Sequence, residues 1–333
     1  MVFSNYVMQA LREQTVAQDY AVAALTRAIT LAMSGHRRSN GVASVLLFIG
    51  PSGSGKTHMS QVLARVLTGS EQTMTCLNCQ QVDHSDPLGS FEAMLNHLPP
   101  QIPAPLISPG APPAFQVFVF EQIDKAPASF FDDLALAIDR GAILTPGRLF
   151  SLNNAFVILI SDLSKKKADQ LLGRTIGFFL DGETVVEMSR RQAAALEEVD
   201  QRLGQRLVSR VDEIVLFDRL NAHDIVALTE KYLIEIERYL AAFCIGFILG
   251  PEARTFLLTL GLEDLNHGAR QITRVIRNYV EFPLADLMLS RRLVPGTLVC
   301  VKHKPPGNFL NFEIMIPGLA SEAATPYVRT MTA

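Results

Sequence analysis

One stretch near the N-terminus, residues 45–63, constrains the fold more than any other part of the sequence. Residues 45–49 form a short apolar run, which is typical of a fully buried strand in a parallel sheet. Residues 50–57 read G-P-S-G-S-G-K-T and match the pattern G-x-x-x-x-G-K-[S/T] in full. Apolar residues then recur at helical spacing as far as Val66, so the stretch predicts a strand, a glycine-rich loop and a helix in direct succession.

The glycine-rich loop predicts a binding site for nucleotide phosphates. Its glycines let the backbone curl so that N–H groups point at phosphate oxygens, and the start of the helix adds partial positive charge. Lys56 is expected to reach the β- and γ-phosphates, and the Thr57 hydroxyl to bind Mg²⁺. The alternative is a turn that merely joins a strand to a helix, which the complete motif and its context disfavour. The predicted nucleotide-binding residues are Gly50, Pro51, Ser52, Gly53, Ser54, Gly55, Lys56, Thr57 and His58.

Composition excludes several classes of protein. The formal net charge of −3 gives no whole-chain reason to expect nucleic acid or an anionic membrane as a partner. No apolar run reaches the ~18 residues of a membrane span, and the N-terminus lacks the pattern of a signal peptide. Cys76 and Cys79 form a C-x-x-C pair, but two reduced, mostly buried cysteines are favoured over a metal or redox site. These features predict a cytoplasmic protein.

Periodicity predicts strands that alternate with helices, and then a mostly helical block. We predict helices at residues 7–34, 130–140 and 190–207, strands at 73–77, 116–120, 155–160 and 213–217, and a turn-rich segment at 144–149. Later helices are predicted at 223–239, 251–260 and 269–289, the last interrupted at Pro283, before strands at 297–302 and 309–316. The alternation predicts a doubly wound parallel sheet flanked by helices. We expect a large α/β domain over residues 1–219, a smaller lid domain over 220–317 and a flexible tail over 318–333.

The strand predicted at residues 116–120 is followed by a segment that suggests ATP chemistry. Residues 120–126 read F-E-Q-I-D-K-A, so Glu121 and Gln122 come directly after the strand. In phosphate-loop ATPases a carboxylate at this place holds Mg²⁺, and a following glutamate orients and deprotonates the attacking water. The segment resembles the Clp-type branch of the AAA+ ATPases, whose motif runs apolar-Asp-Glu-Ile-Glu-Lys-Ala.

Four later segments resemble the same family, in the same order along the chain. They are residues 136–145, 157–162, 209–213 and 268–270. The resemblance implies that Asp162 is the first sensor and that Arg270 is the second sensor. It also implies that Arg210 reaches the nucleotide of a neighbouring subunit. The resemblance covers about residues 10–317, and it implies an AAA+ fold that uses ATP and Mg²⁺ and assembles into a ring, often a hexamer.

Three positions depart from the family pattern. Glu121 stands for the aspartate that would join Thr57 at Mg²⁺, and Gln122 stands for the catalytic glutamate. A neutral amide can orient a water but cannot take its proton. Asp162 stands for an asparagine and brings a carboxylate close to the γ-phosphate, which should weaken ATP binding unless Mg²⁺ or the arginines offset it. Asp124, two residues beyond Gln122, is expected to point away from the site or toward a neighbouring subunit.

Two further segments bear on possible protein partners. Between residues 73 and 113 the only aromatic is Phe91, so the aromatic loop with which Clp unfoldases grip polypeptide has no clear counterpart. Torsins, which are AAA+ relatives of the Clp proteins, also lack that loop. Ile176, Gly177 and Phe178 resemble the loop with which some Clp unfoldases dock a peptidase, although an apolar turn packed on its own domain is the favoured alternative.

Two functions remain open from the sequence. The first is a slow ring-forming ATPase that remodels protein partners, which family precedent favours narrowly. The second is an ATP-dependent assembly or scaffold protein with little or no hydrolysis, which Gln122 and Asp162 favour. A phosphate-loop kinase is disfavoured, because no acceptor site is visible and Arg210 and both sensors fit the AAA+ pattern instead.

Overall fold

The computed structural model of the chain describes residues 2–34, 41–70, 73–83, 86, 115–145, 148–162 and 201–316. Contacts between Cα atoms divide the chain into two compact units, Met1–Asp218 and Arg219–Ala333. The functional boundaries at residues 219 and 317 stay predictions, and the proposed tail over 318–333 lies outside the described residues.

The first unit is built on a five-stranded sheet in which every neighbouring pair of strands is parallel. The spatial order is β2-β3-β6-β1-β7, so the prediction of a doubly wound parallel sheet is confirmed. The strands are β1 (Ser44–Gly50), β2 (Met74–Asn78), β3 (Gln116–Glu121), β6 (Ala155–Asp162) and β7 (Glu213–Leu216). Parallel strands end at one edge of a sheet, and ligands bind outside that edge in open α/β folds.

Both faces of this sheet are covered, which explains why β1 reads as an unbroken apolar run. Val45, Leu47 and Ile49 belong to the apolar cluster on one face, whereas Leu46 and Phe48 belong to the cluster on the other. One cluster includes residues of three helices, α1 (Val2–Gln14), α2 (Asp19–Met33) and α3 (Lys56–Thr68). The other includes residues of α4 (Ala128–Arg140) and of the short α5 (Gln205–Val208).

The segment predicted to be turn-rich is an antiparallel hairpin. Its strands are β4 (Ala142–Thr145) and β5 (Arg148–Ser151). Ile143 and Phe150 are paired and buried in the core, whereas Leu144 and Leu149, the next pair, are exposed. The sequence pattern missed these strands because each is only four residues long and a proline and a glycine separate them.

The second unit packs helices against a small sheet of order β10-β9-β8, in agreement with the predicted mostly helical domain that ends in strands. Its strands are β8 (Gly246–Leu249), β9 (Leu298–His303) and β10 (Leu310–Met315), and its first helices are α6 (Ala222–Ala241) and α7 (Pro251–Leu262). The long helix predicted at 269–289 is α8 (Ala269–Ile276), a π-helical turn (Arg277–Glu281) and α9 (Phe282–Leu289). Pro283 is the second residue of α9, just after the wide turn, and its ring crowds the preceding helical turn and offers no N–H donor.

Two further expectations concern the helix predicted at 190–207 and the absence of membrane-spanning segments. Most of the helix predicted at 190–207 lies outside the described residues, and the part that is described is interrupted at Gly204, where φ is +74°. Within the described ranges, no helix is both long enough and apolar enough to cross a bilayer.

Candidate functional site

The glycine-rich loop connects β1 to α3, and its glycines serve two different purposes. Gly53 and Gly55 have φ angles of +78° and +99°, which side chains rarely tolerate. Gly50 is needed for another reason, because a Cβ there would lie 2.5 Å from the carbonyl oxygen of Phe217 and 2.8 Å from its Cβ. The loop therefore curls at Gly53 and Gly55, while Gly50 lets the segment after β7 pass close to the end of β1.

Lys56 is the first residue of α3 and is only 5% exposed. Its Nζ donates to the carbonyl oxygens of Gly50 at 2.9 Å and Pro51 at 2.8 Å, and it lies 2.6 Å from Oδ1 of Asp162. This meeting follows from strand register, because Asp162 at the end of β6 is aligned with Gly50 at the end of β1. The charge of Asp162 is therefore balanced by Lys56, a partner that the sequence analysis did not consider.

Thr57 and Glu121, the two predicted Mg²⁺ ligands, are in direct contact. The Thr57 hydroxyl donates to Oε1 of Glu121 at 2.5 Å, which joins the start of α3 to the end of β3. Mg²⁺ prefers oxygen ligands and commonly uses one or two protein groups together with substrate phosphates and water. No cluster of three or more His, Cys, Asp and Glu residues that could hold a metal occurs in the part of the chain that is described. The oxygen pair thus fits Mg²⁺ held jointly with a nucleotide.

Gln122 has an unusual backbone and an unsatisfied side chain. It follows β3 with φ +53° and ψ +43°, a left-handed conformation that is uncommon outside glycine. Its Oε1 is buried and accepts no hydrogen bond from any described residue, and the same holds for the Ser54 hydroxyl in the loop. A buried polar atom without a partner costs ~1–3 kcal/mol. Both atoms therefore fit a site that is completed by a polar ligand and its water.

Asp124 does not point away from the strand, as the sequence analysis expected. Its side chain is 2% exposed and accepts a hydrogen bond from the Ser161 hydroxyl at 3.2 Å. Lys125 Nζ at 3.3 Å and Arg202 Nη1 at 3.7 Å balance its charge. Asp124 therefore ties the end of β3 to the end of β6, and this contact holds the two strand ends together.

Two predicted site residues contact other parts of the first unit, and a third belongs to the second unit. Arg210 binds Asp139 of α4 through two hydrogen bonds, one of them from Nε at 2.7 Å, and this bonding raises the pKa of the guanidinium. His58 is exposed and its ring contacts the carbonyl oxygen of Gln14 at 2.9 Å, beside α1. Arg270 is exposed on α8 of the second unit. Their roles toward a nucleotide stay predictions.

The sequence analysis missed Gln18, a buried residue at the start of α2. Its Nε2 donates to the carbonyl oxygens of Ser54 and Asp218, both at 3.1 Å, and its Oε1 accepts from the backbone N–H of Asp218 at 3.3 Å. One amide thus fastens the phosphate loop to the segment that follows β7. No local pattern marks such a glutamine, since its partners lie 36 and 200 residues away in sequence.

The C-x-x-C pair lies close to this edge of the sheet, but its chemistry is not that of a reactive site. Burial and then the charge of Glu121 raise the pKa of Cys76 to about 12, although part of this residue is exposed. Burial likewise raises the pKa of Cys79, which is fully inside the core cluster. Nucleophilic attack needs the thiolate, and both shifts favour the protonated thiol. The docking segment at Ile176, Gly177 and Phe178 lies outside the described residues.

Comparisons with known proteins match both units. Residues 220–301 match the family model described as the C-terminal, D2-small domain of ClpB protein. The chaperone protein ClpB of Pseudomonas putida is 26% identical over 311 residues, which cover 88% of this chain and 33% of ClpB. The chloroplastic chaperone protein ClpD of Arabidopsis thaliana is 28% identical over 312 residues, covering 90% of this chain and 32% of ClpD. This chain spans about a third of the length of these curated relatives.

Solved structures show the same fold. The Saccharomyces cerevisiae Hsp104–ADP complex aligns with a TM-score of 0.70 at 22% identity, over 92% of this chain and 52% of the Hsp104 chain. The matched D2-small segment lies in the second unit, and the phosphate loop and parallel sheet form the first. The chain is thus similar in sequence and fold to AAA+ proteins of the Clp/Hsp100 type, and its second unit matches their C-terminal, D2-small domain.

Proposed function

We propose that this chain is a slow, ring-forming ATPase that binds ATP with Mg²⁺ and remodels protein partners. One observation supports the proposal: Lys56 contacts Asp162 and Thr57 contacts Glu121 at the same edge of the sheet, where an amide, Gln122, directly follows Glu121. Lys56, Thr57 and Glu121 supply the positive charge and the oxygen ligands that a nucleotide and its metal need. Gln122 lacks the proton acceptor that rapid hydrolysis needs.

Each residue then has a distinct role. Backbone N–H groups of the loop bind the phosphates, and Lys56 neutralises charge on the β- and γ-phosphates. Thr57 and Glu121 hold Mg²⁺, which offsets further phosphate charge. Gln122 orients the attacking water through its amide without accepting the proton, so bulk water or a weaker base must take it.

The remaining roles concern partners. Arg210 would leave Asp139 to reach the nucleotide of an adjacent subunit in a homo-oligomeric ring, most simply a hexamer, and Arg270 would act as the second sensor. A structure of Hsp104 with ATPγS and FITC-casein, 22% identical to this chain, is one precedent for a protein substrate. The curated relatives named above are chaperones, which supports the same class of partner here. Docking of a peptidase through Ile176, Gly177 and Phe178 is a further possibility within this proposal.

Nucleotide binding through the loop can be tested by thermal unfolding. A ligand that binds only the folded protein stabilises it by RT ln(1 + [L]/Kd), which is ~2.7 kcal/mol at 100 times Kd. Mg²⁺–ATP should therefore raise the Tm of the natural protein and leave the Tm of Lys56→Ala unchanged. Arg65→Ala is the control, since Arg65 lies on the same helix but binds Gln14 at the surface. Equal stabilisation of the natural protein and Lys56→Ala would refute the assignment.

A second candidate function is an ATP-dependent scaffold that assembles without turnover. The buried, unpartnered Oε1 of Gln122 favours it, because an amide at this position leaves no carboxylate to accept a proton. The two candidates differ in one measurement. ATP-dependent assembly with no phosphate release over many hours supports the scaffold, whereas slow but continuous release supports the ATPase.

A further inference from the structure

We propose that Asp162 makes the nucleotide site selective for a nucleoside diphosphate over a triphosphate. This inference rests on the proposed function, since it concerns the same phosphate loop. It goes further in naming which nucleotide the site prefers and the residue that sets the preference.

Lys56 already has a full set of hydrogen-bond acceptors. An ammonium group carries three protons. Within the described chain, three acceptors lie within 3 Å of Lys56 Nζ: the carbonyl oxygens of Gly50 and Pro51, and Oδ1 of Asp162 at 2.6 Å. Lys56 is only 5% exposed whereas the Asp162 side chain is 35% exposed, so water screens their contact in part. Asp162 therefore pairs with the Lys56 ammonium group, with which a terminal phosphate would otherwise pair.

Strand register places Asp162 beside the loop. Asp162 is the last residue of β6 and is aligned with Gly50, the last residue of β1. Ser161 beside it is tied to Asp124, which anchors the end of the strand. The carboxylate thus contacts Lys56 near the position that we expect the terminal phosphate to take.

A triphosphate and a diphosphate differ in how they interact with Lys56 and Asp162. A γ-phosphate must compete with Asp162 for Lys56 and must bring its own negative charge close to the carboxylate. The β-phosphate of a diphosphate is bound mainly by loop N–H groups and lacks that extra charge. Two like charges ~5 Å apart at an effective dielectric constant of ~20 repel strongly enough to weaken binding by ~10-fold or more, part of which Mg²⁺ offsets.

Calorimetric titrations with Mg²⁺–ADP and with Mg²⁺–ATPγS test the proposal. The natural protein should bind ADP ~10-fold more tightly than ATPγS. Asp162→Asn should tighten ATPγS binding by ~10-fold and change ADP binding less than threefold. Asp132→Asn is the matched control, because Asp132 is an exposed aspartate paired with Arg206 on the surface of α4. It should leave both affinities unchanged.

Asp162→Ser provides a second neutral variant, and melting curves of both variants verify folding. An ATPγS-to-ADP affinity ratio that both neutral variants leave unchanged overturns the selectivity. Unfolding of both would overturn it as well, because the carboxylate would then be a structural counter-ion. Failure of the natural protein and both folded variants to bind either nucleotide refutes the phosphate-loop assignment itself, which is a distinguishable result.

Discussion

Replacing Gln122 by glutamate should convert a slow ATPase into a faster one. The residue follows β3, whose end is joined to the loop through the contact of Glu121 with Thr57. Its Oε1 is buried and has no hydrogen-bond partner among the described residues, so a carboxylate oxygen placed there would be poorly solvated. Burial raises the pKa of a carboxyl group, as does the negative charge of the adjacent Glu121. Both effects make the introduced group a stronger base.

The expected gain can be bounded. General-base assistance typically contributes ~10²–10⁴ in rate, and the amide already supplies the orienting part of it. We therefore expect Gln122→Glu to raise turnover by ~10–10³, which corresponds to a barrier lower by ~1.4–4 kcal/mol. The same change should destabilise the nucleotide-free protein by ~1–3 kcal/mol, because it puts an unpaired charge where a neutral oxygen was buried.

Phosphate release under saturating Mg²⁺–ATP, in steady state and in a single turnover, measures the effect. The matched control is Gln116→Glu, which makes the same chemical change at the first residue of the same strand, at the opposite edge of the sheet. Only Gln122→Glu should accelerate the single turnover. Brisk hydrolysis by the natural protein, together with an unchanged rate in Gln122→Glu, would show that the base lies elsewhere and that Gln122 does not face the terminal phosphate.

Two further substitutions test how the loop is held. Gln18→Ala should lower the free energy of unfolding by ~1–3 kcal/mol and weaken ADP binding, because buried backbone groups lose their partners. Gln9→Ala, at an exposed site on α1, is the control and should do neither. Gly50→Ala should cost ~1–3 kcal/mol in chemical denaturation, since its new Cβ would lie 2.5 Å from the Phe217 carbonyl oxygen; Gly250→Ala, with its nearest atom at 3.2 Å, should cost less. Equal losses within either pair would refute the contact concerned.

The parts of the fold that could be predicted are those encoded over short distances. The strand, loop and helix around Lys56 form one continuous pattern, and the structure places them as β1 and α3 with the loop between them. The parallel sheet was predictable because its three central strands, β1, β3 and β6, contain unbroken apolar runs. The four-residue strands β4 and β5 were missed, because so short a run carries no clear alternation.

The contacts that define the site depend on register and on long-range packing. The sequence placed Asp162 at a sensor position, but its pairing with Lys56 requires that Gly50 and Asp162 be the aligned last residues of adjacent strands. The binding of Arg210 to Asp139 brings together α4 and a turn about 70 residues later. Neither contact follows from spacing in sequence, so local patterns identified the residues of the site without identifying their partners.

The strand order has a consequence for how the chain folds as it is made. β1 is the first described strand of the sheet along the chain, yet its two neighbours are β6 and β7, aligned with residues about 110 and about 170 positions further on. Closing such long loops makes pairing slow. During synthesis, both edges of β1 are therefore covered only after the chain has been made as far as about residue 216. Until then the phosphate loop follows a strand that is not yet part of a sheet. We therefore expect a general chaperone to bind the nascent chain at β1.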